Sequence, residues 1–243
     1  MMNSTYNKLY SDVGRLITNN ASFFIAGHRR PDGDSIAAQL LIRSLLKSLN
    51  KRGDLYSADP VPHNLLFLPG VSHMRVCKKL HTAYDVAFII ECSGQDRMGN
   101  IINLAKQVKK VVNIDHHAHF NAFGDINIIN PHASSSCEQI HGLFEYLGVK
   151  IGYPEAVCLF TGIATDTGYF RHANTSSHAL ALVSQYVALG VKPDEVYQKI
   201  YQQKSMPDLH FLGKTLIRLQ LDRDKKNSCF NPAVRDGRYR RYY

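Results

Sequence analysis

The sequence predicts an α/β fold: a mainly parallel sheet with helices on both faces. Short apolar runs that are typical of buried strands alternate with segments whose apolar residues recur at helical spacing. Glycine and proline separate many of these segments. Several apolar runs end at a histidine or an acidic residue, and ligands bind beyond the carboxyl ends of strands in open parallel sheets.

The predicted elements alternate along the chain. Leu9, Val13 and Ile17 give the N-terminal segment one apolar face, so we expect a helix that packs on the core. Residues 51–82 are predicted to hold turns around short pieces, because prolines recur there. Strands are predicted at 23–27, 86–90, 111–114 and 126–129, and helices after residue 34 and at 101–108, 136–147, 154–165, 177–190, 193–203 and 207–220.

The length of 243 residues predicts one large or two small domains. We assign a first domain to residues 1–203 and a connecting helix to 204–226. Residues 227–243 are basic, rich in tyrosine and aperiodic, and we expect them to be disordered.

The composition indicates a globular protein, with 44% hydrophobic and 20% charged residues and a formal net charge of +9. Residues 222–243 carry seven Lys or Arg against three Asp, or +4 of that charge. We interpret this basic end as a solvated tail rather than a nucleic-acid arm. The remaining excess suits an anionic ligand without requiring nucleic acid.

The cysteines and the apolar runs bear on the compartment. The five cysteines form no CxxC pair, which predicts free thiols in a reducing compartment. No apolar run approaches the ~18 residues of a membrane span, and the N-terminal residues lack the apolar core of a secretory signal. We therefore expect a cytoplasmic protein without membrane contact.

The most informative stretch is residues 28–35, where a predicted strand turns into a helix. It supplies His28, Asp32 and Asp34, and all three offer nitrogen or oxygen ligands that suit a divalent cation. Pro31 and Gly33 bend the backbone there. Taken alone, the stretch could equally be a solvated turn in which Asp34 caps the next helix.

Three further sites of the same kind follow. Glu91 and Asp115, with His116 beside it, come at the ends of apolar runs, and Asp166 lies among small residues at 162–168. Parallel strands would bring these groups to one edge of the sheet, where so much negative charge suits two adjacent cations. A set of histidines and carboxylates without cysteine favours Mn²⁺ or a similar ion, such as Mg²⁺ or Co²⁺, over structural zinc.

Each site also has a simpler interpretation. Asp115 could be a helix cap, Glu91 could pair with Arg97, and Asp166 could hydrogen-bond a turn. His116 and His117 could belong to a solvated polar patch. Four such coincidences at predicted strand ends are less economical than one site.

These motifs resemble those of the DHH phosphoesterases, which are named for the triplet seen here at residues 115–117. Residues 28–34 match the first motif, His-x-x-Pro-Asp-Gly-Asp, and residues 112–117 and 162–170 match the third and fourth. The layout is most similar to the branch that hydrolyses short oligonucleotides and 3′-phosphoadenosine-5′-phosphate, the NrnA-like proteins. The resemblance covers roughly residues 5–222.

The resemblance implies a role for each motif residue. His117 would face the substrate phosphate and Asp115 would support the histidines, so that residues 115–117 form the catalytic triplet. Arg29 and Arg30 lie close enough in sequence to help His117 stabilise the phosphate charge. The implied ligands of two Mn²⁺ ions are His28 and Asp32 for one, Asp34, His116 and Asp166 for the other, and Glu91 as the bridge.

The implied partner is a nucleotide or short oligonucleotide, with a homodimer as a candidate assembly.

Two departures from the family pattern matter: Glu91 stands where the family usually has Asp, and the Gly-Gly-Gly-His-type loop of a second domain, termed DHHA1, is absent from this sequence. We therefore expect residues 1–203 to be the DHH catalytic domain and catalysis to be weakened. The alternatives are a nucleotide or nucleic-acid binding module without catalysis, and a hydrolase of cyclic dinucleotides or pyrophosphate.

Overall fold

A parallel sheet forms the centre of the computed structural model, which describes residues 4–119, 121–203, 205–221 and 228–230. Within these ranges six strands form the sheet, in the order β3-β2-β1-β4-β5-β6. The predicted α/β class with a parallel sheet is confirmed. The strands are β1 (Ser22–Gly27), β2 (Arg52–Ser57), β3 (Arg75–Val76), β4 (Tyr84–Ile90), β5 (Val108–Asp115) and β6 (Ile126–Ile129).

The described residues divide into two compact units, at residues 1–200 and 201–243. The second unit contains helix α8 (Met206–Ile217) and an antiparallel pair, β7 (Leu219–Leu221) and β8 (Ser228–Phe230). Of the tail predicted to be disordered, β8 is therefore a strand, and residue 227 and residues 231–243 lie outside the described residues. The helices are α1 (Ser4–Asn19), α2 (Gly33–Ser48), α3 (Leu104–Gln107), α4 (Ser136–Tyr146), α5 (Tyr153–Asp166), α6 (Ser177–Ala188), α7 (Pro193–Tyr201) and α8 (Met206–Ile217).

Apolar side chains cover both faces of the sheet. On one face Phe24 and Ile89 belong to a buried cluster that includes Met98 and Leu104. On the other face lies α2, which also contacts α4 and α5. Because α2 has neighbours on several sides, it is buried nearly all round rather than on the one face that its spacing predicts.

Two differences from the predicted elements have local causes. β2 was not predicted, because Arg52 and Asp54 interrupt its apolar pattern, yet it pairs with β1 and buries its second half. The helix predicted at 101–108 is only four residues long, because β5 begins already at Val108. None of the described helices is both long and apolar enough to cross a membrane.

The strand order determines where the functional motifs meet. β1, β4 and β5 are adjacent, so the residues that follow their carboxyl ends come to one edge of the sheet. The chain runs outward from β1 to β2 and β3 and then returns to β4 on the other side of β1. The gap between β1 and β4 is thus a topological switch point, where open α/β sheets bind their ligands.

The burial of α2 leads to a stability prediction. Leu41→Ala should lower the free energy of unfolding by about 2–5 kcal/mol, because it removes a 1% exposed side chain and leaves a cavity. Lys47→Ala, at an exposed position of the same helix, should change it by less than about 0.5 kcal/mol. Urea unfolding of both variants measures the difference, and equal losses would contradict the packing described for α2.

Candidate metal centre

The turn after β1 presents a histidine and a carboxylate to the same space. The Nδ1 atom of His28 lies 2.7 Å from the carbonyl oxygen of Arg29, so a proton on Nδ1 would be donated to that carbonyl. The other ring nitrogen, Nε2, lies 3.6 Å from Oδ2 of Asp32. The Oδ1 atom of Asp32 accepts the Ser35 backbone N–H at 2.9 Å, so Asp32, and not Asp34 as the simpler interpretation had it, caps α2.

Asp34 is buried in the first turn of α2 and is held by the start of α4. Its Oδ2 accepts the backbone N–H of Ser136 at 2.7 Å, and its Oδ1 accepts that of Cys137 at 3.1 Å. Helix N-termini favour negative charge, so α4 stabilises this carboxylate. A Cβ atom on Gly162 would lie 2.6 Å from Oδ1 of Asp34, which explains why a residue without a side chain stands there in α5.

Glu91 follows β4 and is 1% exposed. Its φ of +58° lies in the left-handed region, where a side chain other than glycine is strained. The hydroxyl of Ser136 donates a hydrogen bond to Oε1 of Glu91. The same Oε1 lies 3.5 Å from Nε2 of His116. No ion pair joins Glu91 to Arg97 among the described residues, so that alternative is not supported.

Residues 115–117 begin at the last residue of β5, and the two histidine rings make different contacts. Oδ1 of the buried Asp115 accepts the His117 backbone N–H at 3.1 Å and lies 2.6 Å from His117 Nδ1. Nδ1 of His116 lies 3.3 Å from the carbonyl oxygen of Ala133. Nε2 of His116 is buried without a hydrogen-bond partner among the described residues and lies 3.4 Å from Oδ2 of Asp166.

Asp166 is the last residue of α5, so its side chain reaches the site from a helix end. The side-chain amide of Asn174 donates to the carbonyl oxygen of Asp166 at 3.3 Å and to Oδ2 of Asp166 at 3.4 Å. The same amide donates to the Ser134 carbonyl at 3.1 Å. Asn174 therefore links the end of α5 to the segment before α4.

The carboxylates destabilise one another in their charged forms. Burial and then repulsion from Asp34 raise the pKa of Glu91 well above its ordinary value. The pKa of Asp34 is also raised, first by burial. Burial and then repulsion from Asp34 raise the pKa of Asp166 to about 6. A bound cation would relieve this repulsion.

These groups fit a divalent cation. Two sets of three ligand atoms lie within 4.8 Å of one another, one from His28, Asp32 and Glu91 and one from Glu91, His116 and His117. A cation would give the buried Nε2 of His116 a partner and would offset the charge of the converging carboxylates. The candidate ligand atoms are all nitrogen or oxygen, which suits a divalent ion of this kind. Glu91 belongs to both sets, so one carboxylate lies within reach of two positions.

The structure brings the predicted ligands together with two differences in detail. Asp166 lies beside His116 as expected, but both oxygens of Asp34 are already hydrogen-bonded to α4. His117, predicted to face the substrate, also lies within the second set of ligand atoms.

The two arginines predicted to stabilise the phosphate charge make no side-chain hydrogen bond or ion pair with the predicted ligands among the described residues. Arg29 and Arg30 are exposed, and Arg30 is held by its backbone N–H, which donates to Asp59 at 2.8 Å. The backbone N–H of Arg29 donates to the carbonyl oxygen of Arg97 at 2.7 Å. The hydrogen bond to Asp115 raises the pKa of His117, and the nearby positive charge of Arg97 acts against that rise.

Sequence reasoning missed three residues of this site: Arg97, Ser136 and Asn174. From the sequence, Arg97 is a candidate partner of Glu91 only. Ser136 is simply the first residue of a predicted helix, and no local signal marks Asn174. Their contacts join residues far apart in the chain, which a local pattern does not encode.

Comparison with known proteins agrees with this geometry. The family model described as DHH family, N-terminal domain, matches residues 22–163, which is more than half of the chain. A Thermus thermophilus protein named bifunctional oligoribonuclease and PAP phosphatase NrnA is 31% identical over 178 residues, which are 73% of this chain and 53% of that protein. The Bacillus subtilis protein of the same name is 24% identical over 199 residues, 80% of this chain and 61% of that protein. The chain thus spans only part of the length of these relatives.

A solved structure shows the same fold. The exopolyphosphatase-related protein from Bacteroides fragilis superimposes with a TM-score of 0.82 and is 24% identical, covering 89% of this chain and 67% of that chain. At this identity the likeness concerns the fold alone.

The raised pKa values predict how the metal-free protein responds to pH. A carboxyl group whose folded pKa lies above its unfolded value adds stability at low pH, and that stability is lost as the pH rises through the folded pKa. For Asp166 the loss is complete above about pH 6, and the raised values of Asp34 and Glu91 act in the same direction. The melting temperature of metal-free protein should therefore fall from pH 5 to pH 7.5.

Calorimetry with and without Mn²⁺ checks this expectation. Saturating Mn²⁺ should remove the fall, because cation binding favours the ionised carboxylates. Asp166→Asn should flatten the pH dependence of the metal-free protein, since it removes one titrating group. An unchanged pH dependence in that variant would contradict the electrostatic account.

Proposed function

The chain belongs to the DHH family, and on that premise we propose that it is a metal-dependent phosphoesterase that hydrolyses short oligonucleotides or 3′-phosphoadenosine-5′-phosphate. The observation that carries the proposal is the carboxylate of Glu91, which is shared by two sets of ligand atoms. A shared carboxylate is the arrangement expected where two cations lie about 3.5–4 Å apart. We propose Mn²⁺ as the resident ion because the donors are imidazole and carboxylate.

The ligand roles are proposals as well. We assign His28 and Asp32 to one ion, Asp34, His116 and Asp166 to the other, and Glu91 to both. Each oxygen of Asp34 already accepts a backbone hydrogen bond from α4, so it would bind the second ion while keeping that bond. When bound, divalent cations polarise a phosphoryl oxygen and lower the pKa of an attacking water.

The protein's own groups would then manage protons and phosphate charge. In hydrolysis a water oxygen forms a bond to phosphorus, the phosphorus–oxygen ester bond breaks, and the leaving oxygen takes a proton. His117 suits this donation, because its hydrogen bond to Asp115 raises its pKa and fixes its ring. Arg97, whose charge acts on His117, would add positive charge near the phosphate, and we propose the same role for Arg29 and Arg30.

The substrate class rests on two lines of support. The relatives of similar sequence are named for oligoribonuclease and PAP phosphatase activity. The chain has a net charge of +9, which suits an anionic substrate. We propose the cytoplasm as its compartment, because the four cysteines among the described residues are free. A homodimer remains a proposal for its assembly.

A hydrolysis assay tests the proposal. With Mn²⁺ present, the protein should release mononucleotides from a dinucleotide or phosphate from 3′-phosphoadenosine-5′-phosphate, and a chelator should abolish both reactions. His116→Asn should lower kcat/KM at least about 100-fold, because it removes an imidazole ring that we propose as a metal ligand. His119→Asn, at an exposed histidine three residues away, is the matched control and should stay within twofold of the unaltered protein.

The outcome also separates the alternatives. Hydrolysis confined to cyclic di-AMP or to pyrophosphate would overturn the proposed substrate class but not the phosphoesterase chemistry. Tight nucleotide binding without turnover of any of the four substrates would replace the enzyme with a binding module. Equal activity of His116→Asn and the unaltered protein would show that another protein in the preparation is responsible.

A further inference from the structure

Three consecutive serines before and at the start of α4 use their hydroxyl groups in three different ways. The hydroxyl of Ser134 donates to the carboxylate of Glu138 at 2.6 Å. The hydroxyl of Ser135 caps the helix by accepting the Glu138 backbone N–H at 3.2 Å. The hydroxyl of Ser136 serves neither purpose and instead donates to Glu91. Helix formation therefore does not account for the hydroxyl of Ser136.

Ser136 is fully buried and contacts two carboxylates of the candidate metal centre. Its backbone N–H donates to Asp34 at 2.7 Å, and its hydroxyl donates to Oε1 of Glu91. These two carboxylates come from residues 102 and 45 positions away in the chain. One serine thus fixes the distance between the first-motif carboxylate and the one that follows β4.

Glu91 is the residue that most needs such a fixed partner. Its side chain is one methylene longer than that of aspartate and has one more rotatable bond, and its backbone has a strained φ of +58°. The oxygen that receives the Ser136 hydroxyl is also the one that lies 3.5 Å from Nε2 of His116. The hydroxyl therefore holds the Glu91 oxygen that faces His116.

We infer that Ser136 is a positioning residue that holds the carboxylate of Glu91 between two cation positions. The inference rests on the proposed function, because it concerns the same metal centre. Hydrogen-bond partners of metal ligands typically change metal affinity 10- to 100-fold when they are removed. The backbone N–H of residue 136 is kept in any substitution except proline, so a side-chain change isolates the hydroxyl from the contact with Asp34.

Titration calorimetry with Mn²⁺ at constant pH tests the inference. Ser136→Ala should weaken Mn²⁺ binding about 10- to 100-fold. Ser136→Cys, which is close in size but donates weakly, should show a similar loss and replaces the alanine variant if that variant does not fold. Ser135→Ala is the matched control, because its hydroxyl caps α4: it should lower the melting temperature and leave Mn²⁺ affinity within twofold.

A double-mutant cycle makes the test specific to Glu91. In the Glu91→Asp background the shorter side chain withdraws the carboxylate from the Ser136 hydroxyl, so adding Ser136→Ala should cost less than threefold in affinity. A full loss in that background would show that Ser136 acts by another route and would overturn the inference. So would Mn²⁺ affinity of Ser136→Ala within threefold of the unaltered protein.

The proposed function fails in a different way. If the unaltered protein binds no Mn²⁺, the metal centre itself is wrong, and the inference falls with it. If the unaltered protein binds Mn²⁺ and Ser136→Ala binds equally well, only the inference is wrong.

Discussion

The candidate metal centre is governed by repulsion among carboxylates that the fold holds close together. Asp34 and Glu91 are about 1% exposed, and with Asp166 they converge at one edge of the sheet. Burial raises the pKa of all three, and repulsion from Asp34 adds to the rise for Glu91 and Asp166. Such an arrangement is unfavourable unless positive charge or hydrogen-bond donors offset it. The fold supplies donors from α4, and the remaining charge suits bound cations. This edge is destabilising for the metal-free chain, and the same electrostatics would favour the binding of cations.

Close helix packing makes the convergence possible. A Cβ atom on Gly33 would lie 2.5 Å from Thr165, and one on Gly162 would lie 2.6 Å from Asp34. These two glycines allow α2 and α5 to approach until their carboxylates face one another across the site. The parallel sheet brings further residues of the candidate site together, because β1, β4 and β5 are neighbours and His28, Glu91 and Asp115 lie at their carboxyl ends. Helix packing and strand order thus together bring these side chains close to one another.

The sequence predicted the parts of the fold that depend on local patterns. β1, β4 and β5 each contain a short apolar run, and their carboxyl ends meet as expected because adjacent parallel strands end at one edge. β2 escaped prediction because its charged residues mask a strand that its pairing with β1 and β3 stabilises. The capping role of Asp32 and the hydroxyl contact of Ser136 also escaped, since each depends on side-chain direction or on a partner distant in the chain. Patterns therefore indicated the candidate site, and only three-dimensional contacts showed how its carboxylates are held.

Anomalous scattering from a crystal soaked in Mn²⁺ would show whether Glu91 is shared between two cations. We expect two peaks about 3.5–4 Å apart, with oxygens of Glu91 bound to both. One peak should have His28 and Asp32 as further ligands, and the other should have His116. A single peak, or two peaks of which one lies beyond bonding distance of Glu91, would contradict the account.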